Sequence, residues 1–218
     1  MRKLQRPSEP PVLATLAAAG KHWADLTHFE RLQIREALEP MHERGEQVFC
    51  AYCEDATKTQ GGHIEHLAAR SRHIDYEFTW SNLFIACDAE HRCEKYKDSA
   101  KVGHYDWRDL VKPDVDDPDE FFYFSATGEV LVREGLDQSQ LHRAEETIRV
   151  LNLNHRDFVG ARYAVAEQAR QMISDQDWEF IASLSPEERE EWLSSDLEYF
   201  LPLPFYTTVR HPVSYTHL

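Results

Sequence analysis

The sequence predicts an α+β fold, with a small unit of short strands and cysteines set into a mostly α-helical chain. Three observations lead to this prediction. All four cysteines fall between residues 50 and 93, where the chain breaks into short apolar runs. The segments on either side carry apolar residues at helical spacing. The 218 residues are 42% hydrophobic and 29% charged, which is typical of a soluble globular protein large enough to bury a core.

Residues 1–46 are predicted to form an N-terminal helical segment. Thr27 and Glu30 have the spacing of a capping box, so we expect a helix to begin there. Gly45 suits the C-terminal end of that helix. The apolar residues of this helix lie on one face: Phe29, Leu32, Leu38 and Met41.

Residues 47–112 are predicted to form the strand-containing unit. The runs QVFCAYC and GGHIEHL indicate short strands, and WSNLFIAC indicates a further one. The run HRCEKYKD that follows indicates a short helix. This order of strands and helix surrounds the cysteines, so the unit and the cysteine cluster are expected to be one structure.

The cysteine spacing indicates a metal site. No apolar run approaches the length of a membrane span, and no apolar segment follows the positive charges at the start, so we expect a cytoplasmic protein. There, Cys50 and Cys53 with two residues between them suggest a metal-binding knuckle rather than a disulfide. With Cys87 and Cys93 they predict four thiolates around a structural zinc ion. The Cys87–Cys93 spacing is wide, so His91 in place of one cysteine is the alternative.

Residues 113–212 predict a hairpin followed by helices. The run FFYFSATGEVLV breaks at Thr127 and Gly128, which indicates the turn of the hairpin. Ser185 and Glu188 have the spacing of a second capping box. The buried side of the helix that follows is predicted to carry Trp192, Leu193, Leu197 and Phe200.

The acidic residues are concentrated in the second half of the chain. Residues 1–112 hold 16 Lys and Arg against 18 Asp and Glu, a net charge of −2, whereas residues 113–218 hold 8 against 21, a net of −13. The total of −15 argues against a simple basic nucleic-acid binder. The first half could face a phosphate backbone. The second half would repel one unless it is turned away or covered by a partner. The alternative is that the acid-rich half is a solvated surface and nothing more.

The last six residues, 213–218, are interpreted as a tail that is not native to the protein. Their sequence, VSYTHL, is what one reading frame of a common sequencing adapter encodes. We therefore assign them no function.

The residues that carry chemistry follow one another in the order Cys50, Cys53, Glu65, His66, Asn82, Cys87, Cys93 and Lys97. Over about residues 49–98, this order resembles that of HNH endonucleases. The resemblance implies a zinc-stapled ββα-metal core embedded in the helical chain. The opening MRKLQRP and the runs CAYCE, WSNL, CEKYKD and ETIRVLNLNH are also similar to PtuB-type HNH proteins of Septu and retron anti-phage defence systems. That similarity implies a PtuA-like ATPase partner and, in retrons, a reverse transcriptase with its RNA or DNA product.

The resemblance also implies the roles of individual residues. Glu65 would bind a catalytic Mg²⁺ or Mn²⁺ ion, and His66 would take a proton from the attacking water. Asn82 would hold the loop that follows His66 through bonds to the backbone, since an amide both donates and accepts. The family usually has Asn or His at a third position, and we favour His91 there as a metal ligand. Glu94 and Asp98 are the alternatives.

Two functions remain as hypotheses at this point. The first is a metal-dependent nuclease that hydrolyses phosphodiester bonds in DNA or RNA, tRNA included. The second is a non-catalytic zinc-knuckle adaptor that binds nucleic acid or protein, which would not need Glu65 and His66 followed by Asn82. The nuclease would use basic residues near its site as contacts to phosphate. The candidates are Arg70, Arg72, Lys95 and Lys97.

Overall fold

Short antiparallel strand pairs lie among helices in the computed structural model of this protein, which confirms the α+β class. Among the described residues, each sheet consists of two strands. The core strand pair is followed by a short helix, and further helices precede and follow it. The structure describes residues 1–57, 62–172, 175–185, 187–189, 191–192 and 203–214.

The N-terminal segment contains α1 (Pro11–Ala18) and α2 (His28–His42). The predicted capping box is present at the start of α2: the backbone N–H of Thr27 donates to the Glu30 carboxylate at 2.8 Å, and that of Glu30 donates to Thr27 Oγ1 at 3.3 Å. The helix ends at His42, before the predicted cap residue Gly45 is reached. Gly45, with φ +59°, instead lies in the turn between β1 (Glu43–Arg44) and β2 (Gln47–Val48).

The apolar face predicted for α2 is wrong at the N-terminal end of the helix. Leu38 and Met41 are buried together with Ile34. In contrast, Phe29 is 66% exposed and Leu32 is 37% exposed. The first turns of α2 therefore extend beyond the core, and their side chains border a surface groove instead.

The central unit consists of two strands and a helix. Strand β3 (His63–His66) pairs in antiparallel register with β4 (Leu83–Ala86), so that Glu65 lies opposite Phe84. Strand β4 is buried along its whole length. Helix α3 (Cys93–Lys97) follows after a turn. The structure thus contains the ββα order that the sequence predicts within residues 47–112.

The second half of the chain begins with the predicted hairpin. Its strands pair in antiparallel register, and the turn between them contains Gly128 with φ +89°. A side chain at Gly128 would meet the carbonyl oxygen of Val159 at 2.1 Å, so only glycine fits there. The elements of this half are α4 (Pro118–Phe121), β5 (Phe122–Phe124), β6 (Val130–Val132), α5 (Gln138–Val150), α6 (Arg156–Met172), α7 (Asp175–Ser183) and α8 (Tyr206–Ser214).

The C-terminal predictions are tested only in part. The capping box is present, because the backbone N–H of Glu188 donates to Ser185 Oγ at 3.2 Å and that of Ser185 donates to the Glu188 carboxylate at 2.8 Å. The predicted buried positions Leu193, Leu197 and Phe200 lie outside the described residues. Of the suspected tail, residues 213 and 214 belong to α8, and residues 215–218 lie outside the described part of the chain.

One continuous apolar core joins the three segments. It contains Leu38 from α2, Phe84 from β4, Phe122 from the hairpin and Leu151 after α5, all completely buried. The central unit is therefore packed against both flanking segments. In the part of the chain that the structure describes, no helix is both long enough and apolar enough to cross a membrane.

Candidate metal and catalytic site

Four cysteine thiols meet at one buried point beside the central unit. The knuckle after β2 supplies Cys50 and Cys53, the residue after β4 is Cys87, and Cys93 begins α3. The Sγ atoms of Cys50 and Cys93 are 3.8 Å apart, as are those of Cys53 and Cys87, and all four lie within 4.8 Å of one another. A tetrahedral ion with metal–sulfur bonds of about 2.3 Å separates its ligands by about 3.8 Å. The four thiols therefore fit a metal such as zinc.

The backbone around the knuckle supports the same arrangement. The N–H of Asp55 donates to Cys53 Sγ at 3.4 Å, and the N–H of Glu54 donates to the carbonyl of Cys50 at 3.2 Å. His91 is not part of this group. Its side chain is exposed, and its ring centroid lies 5.6 Å from that of His155. The structure thus brings four thiols together despite the wide spacing between the last two cysteines.

Three carboxylates form a second group with metal-ligand spacing. Glu65 lies on β3, Glu94 in the first turn of α3, and Asp98 directly after α3. The group thus contains both alternatives for the second ligand and not the favoured ligand His91. Their ligand oxygens lie within 4.8 Å of one another. Glu94 and Asp98 are four residues apart and so share one side of the helix. Glu65 is buried whereas Asp98 is exposed, so the group extends from the interior to the protein surface. Hard oxygen ligands of this kind suit Mg²⁺ or Mn²⁺.

Glu65 is held in place by two hydrogen-bond donors and one ion pair. Tyr52 Oη donates to its Oε1 at 2.9 Å, the backbone N–H of His66 donates to its Oε2 at 2.8 Å, and Lys97 Nζ lies 3.4 Å from Oε1. Burial raises the pKa of Glu65 to about 7; the charge of Lys97 opposes this rise and the neighbouring carboxylates add to it. Sequence reasoning missed Tyr52, although it stands in the middle of the cysteine knuckle.

Lys97 is completely buried, which corrects its assignment as a phosphate contact. Its Nζ donates to the carbonyl of His66 at 3.1 Å and to the carboxylate of Asp98. Burial lowers the pKa of Lys97, but the charges of Glu65 and Asp98 outweigh burial and leave it above its usual value. Lys97 therefore partly neutralises the carboxylate group and cannot reach a nucleic-acid backbone.

The imidazole of His66 is oriented by a backbone carbonyl. Its Nε2 lies 3.1 Å from the carbonyl oxygen of Glu77, and its ring stands edge-on to Trp23 with centroids 4.4 Å apart. Since a carbonyl oxygen only accepts, Nε2 carries the proton and Nδ1 is the basic atom. Burial lowers the pKa of His66 to about 3, so its ring is neutral at neutral pH.

Asn82 connects the strand pair to the loop after β3. Its Oδ1 accepts from the backbone N–H of Ala68 at 2.7 Å, and its Nδ2 donates to the carbonyls of Ala68 at 3.3 Å and Tyr76 at 3.1 Å. All of these groups are backbone groups of the loop that follows His66. The side-chain amide is buried and therefore fixes the shape of the loop.

A cavity of about 350 Å³ brings His66 to one surface with two of the carboxylates, Glu94 and Asp98. Its walls come from β3, from the loop after it and from α3. Through this cavity, solvent and a ligand can reach the carboxylates of Glu94 and Asp98. The lining residues are Ile64, His66, Arg70, Ser71, Ile74, Glu94 and Asp98.

The other three predicted phosphate contacts, Arg70, Arg72 and Lys95, do not all line this cavity. Arg70 lines it. The guanidinium of Arg72 lies 5.1 Å from the ring centroid of Tyr105 and lines a separate cavity of about 440 Å³. Lys95 is half-buried and donates to Glu90 at 2.8 Å. The structure thus brings only Arg70 of this set into the cavity with His66.

His63 is a further residue of the site that sequence reasoning did not select. Its Nε2 lies 2.9 Å from the Glu94 carboxylate, and its Nδ1 lies 2.9 Å from that of Asp88. Burial would lower the pKa of His63, but bonding to Glu94 and Asp88 raises it to about 9. The same contact holds the pKa of Glu94 below its usual value although burial opposes this. Alternation along β3 puts His63 on the side of Glu65, which is the signal in the sequence.

The sequence matches no model of a protein family, and no curated protein matches it either. The fold and the site geometry are therefore the structural basis for assigning a function.

Proposed function

We propose that this protein is a metal-dependent HNH-type endonuclease that hydrolyses phosphodiester bonds in nucleic acid. One observation carries the proposal: three carboxylates converge, and two of them, Glu94 and Asp98, line one cavity together with a neutral, oriented imidazole. In this proposal, zinc bound by the four thiolates is structural. It fixes the start of α3 relative to β4 and thereby fixes Glu94 and Asp98 relative to Glu65.

The proposed reaction assigns one task to each part of the site. A Mg²⁺ or Mn²⁺ ion held by Glu65, Glu94 and Asp98 would neutralise phosphate charge and stabilise the leaving oxygen. Nδ1 of His66 takes a proton from water as the water oxygen bonds to phosphorus. The bond from phosphorus to the leaving oxygen breaks, and that oxygen gains a proton from solvent. The products are a phosphate monoester and a free hydroxyl.

Two features position the base in this scheme. The carbonyl of Glu77 fixes the tautomer of His66, so that the lone pair stays on Nδ1. Asn82 holds the loop between Ala68 and Tyr76, and this loop leads to that carbonyl. Neither residue needs to touch the substrate, and both act by restricting the position of the imidazole.

A zinc-dependent adaptor without catalysis is the competing function. It would use the four thiols in the same way. It would give no role to a buried carboxylate bonded to Tyr52 and paired with Lys97, and burying such a group costs free energy. This cost favours the nuclease, because active sites are where such arrangements are retained.

The cellular part of the proposal rests on the sequence resemblance. We propose that the protein is the effector subunit of an anti-phage defence complex of the Septu or retron type, beside a PtuA-like ATPase. The acid-rich second half would be the docking region. Several apolar side chains are exposed there, which suits a protein interface: Leu131, Leu141, Tyr163 and Phe180.

The test of the proposed function is cleavage by the complete complex, purified after co-expression with its partner. With Mn²⁺ or Mg²⁺ present, the wild-type complex is expected to cut labelled DNA or RNA, and Glu65→Gln is expected to abolish cutting because the buried ligand loses its charge. Glu90→Gln is the matched control, since the Glu90 side chain is exposed and outside the site. Equal cutting by wild type and Glu65→Gln would contradict the proposal. Including both nucleic acids identifies the substrate.

A further inference from the structure

We infer that α2 and Arg70 form a phosphate-binding groove that guides one nucleic-acid strand into the cavity beside His66. This inference rests on the proposed function, because the groove would hold the substrate of that site. Arg31 on α2 and Arg70 after β3 are the contacts to phosphate. Helix α2 lies outside the ββα unit, so the groove combines the unit with a part of the chain that precedes it.

The groove is continuous with the proposed cleavage site. It has a volume of about 670 Å³ and runs between the first turns of α2 and the strand β3. Ile64, Arg70 and Glu94 line both this groove and the cavity with His66. A strand bound in the groove would therefore pass directly over the carboxylate group.

Trp23 organises the two arginines. The guanidinium carbons of Arg31 and Arg70 each lie 5.8 Å from the centroid of its ring. Trp23 is buried, and its backbone N–H donates to the Glu77 carboxylate at 2.8 Å. The same ring contacts His66 edge-on. The groove arginines and the proposed base are thus positioned by one aromatic side chain.

The charges of Arg31 and Arg70 are not neutralised within the described part of the chain. Arg31 donates to the carbonyls of Trp23 at 2.8 Å and Leu26 at 3.3 Å, and both are neutral acceptors. Among the described residues, no carboxylate lies within ion-pair distance of Arg31 or Arg70. Two such cations in a chain of net charge −15 indicate a negatively charged ligand.

Arg35 fixes α2 against the start of β3. It lies one turn after Arg31, donates through Nη1 to the carbonyl of Gly62 at 2.7 Å, and pairs with Glu39 at 2.9 Å. The charge of Arg35 is therefore partly neutralised by Glu39. Arg35 is a positioning residue that sets the width of the groove, whereas Arg31 and Arg70 contact the ligand.

A phosphate backbone fits these features better than an acidic peptide. The groove opens at Glu94 into the cavity that Glu94 and Asp98 line. A ligand that continues from the groove into this cavity can be cleaved there only if it carries a phosphodiester bond. Arginine binds phosphate oxygens through its planar fork of donors. The expected ligand is thus a nucleic-acid strand held by its backbone, with no selection among bases by these two residues.

The test measures binding apart from cleavage. In the complete complex carrying Glu65→Gln, without chelator and without added Mg²⁺ or Mn²⁺ so that the structural zinc is kept, the affinity for fluorescein-labelled DNA and RNA 20-mers is measured by anisotropy at several salt concentrations. Arg31→Gln with Arg70→Gln should weaken binding at least about tenfold and lower the salt slope by about 2, because two phosphate contacts are lost. Arg156→Gln is the control: its side chain is 90% exposed, and the substitution should leave the affinity and the salt slope unchanged. Melting temperatures confirm that each variant is folded.

The outcomes separate the groove from the nuclease. Unchanged affinity and salt slope in the double variant would overturn the groove, even if the wild-type complex cleaves. Weakened binding with no cleavage by wild type would support the groove and remove the nuclease. Loss of partner co-purification with unchanged nucleic-acid binding would show that the groove is a protein interface and would overturn the inference.

Discussion

Replacing His66 with alanine is expected to lower the rate of metal-dependent cleavage by about 10²–10⁴-fold, the usual contribution of a positioned general base. The reason is that Nδ1 of His66 is the basic atom of a neutral ring held by the Glu77 carbonyl. Bound metal and the overall fold should not change, because His66 ligates neither proposed ion. The measurement is single-turnover cleavage of labelled nucleic acid by the complete complex.

His142→Ala is the matched control for this substitution. His142 lies on the exposed side of α5, paired with Asp109 at 3.4 Å and away from the cavity. It is expected to cleave at the wild-type rate. Equal rates for His66→Ala and wild type would exclude His66 as the base and would leave the neutral imidazole without a proposed role.

Replacing Cys53 with serine is expected to remove the zinc and to unfold the central unit. Cys53 is buried, and its Sγ lies 3.8 Å from that of Cys87. Structural zinc sites contribute about 10–16 kcal/mol of apparent binding free energy. That is comparable with the whole stability of a domain, about 5–15 kcal/mol, so the loss of one thiolate should unfold the unit. The measurements are zinc content by mass spectrometry and the unfolding transition by circular dichroism.

The same claim can be checked on the wild-type protein. One zinc ion per chain is expected, and removal by a strong chelator should cause the same loss of structure as Cys53→Ser. Added zinc should restore the fold of wild type but not of the variant. A wild-type protein that is folded and free of zinc would contradict the zinc site, whatever the variant does.

Local patterns allowed the central unit to be predicted. The short apolar runs around His63 to His66 and Leu83 to Ala86 form the paired strands, because alternation and strand length are properties of a few neighbouring residues. The cysteine cluster followed from the knuckle spacing of Cys50 and Cys53. These features depend on residues close in sequence, or on ligand chemistry that requires the residues to meet.

The contacts around the site could not be predicted, because they join residues far apart in the chain. Tyr52 reaches Glu65 and Trp23 reaches His66 only when the core is assembled. Burial of Lys97 likewise depends on how α3 packs on β3, and a short helix of five residues has no periodicity that indicates its buried side. The exposure of the first turns of α2 could not be predicted for a similar reason. The apolar face of a helix does not show how far along the helix the core extends.

The position of Mn²⁺ in a crystal tests the central claim most directly. Crystals of the protein soaked in Mn²⁺ should show an anomalous scattering peak about 2 Å from carboxylate oxygens of Glu65, Glu94 and Asp98, separate from a zinc peak among the four cysteines. Binding there would mean that the ion lies beside His66 at the cavity. A Mn²⁺ peak at His91, or none near Glu65 at a concentration that supports cleavage, would contradict the account.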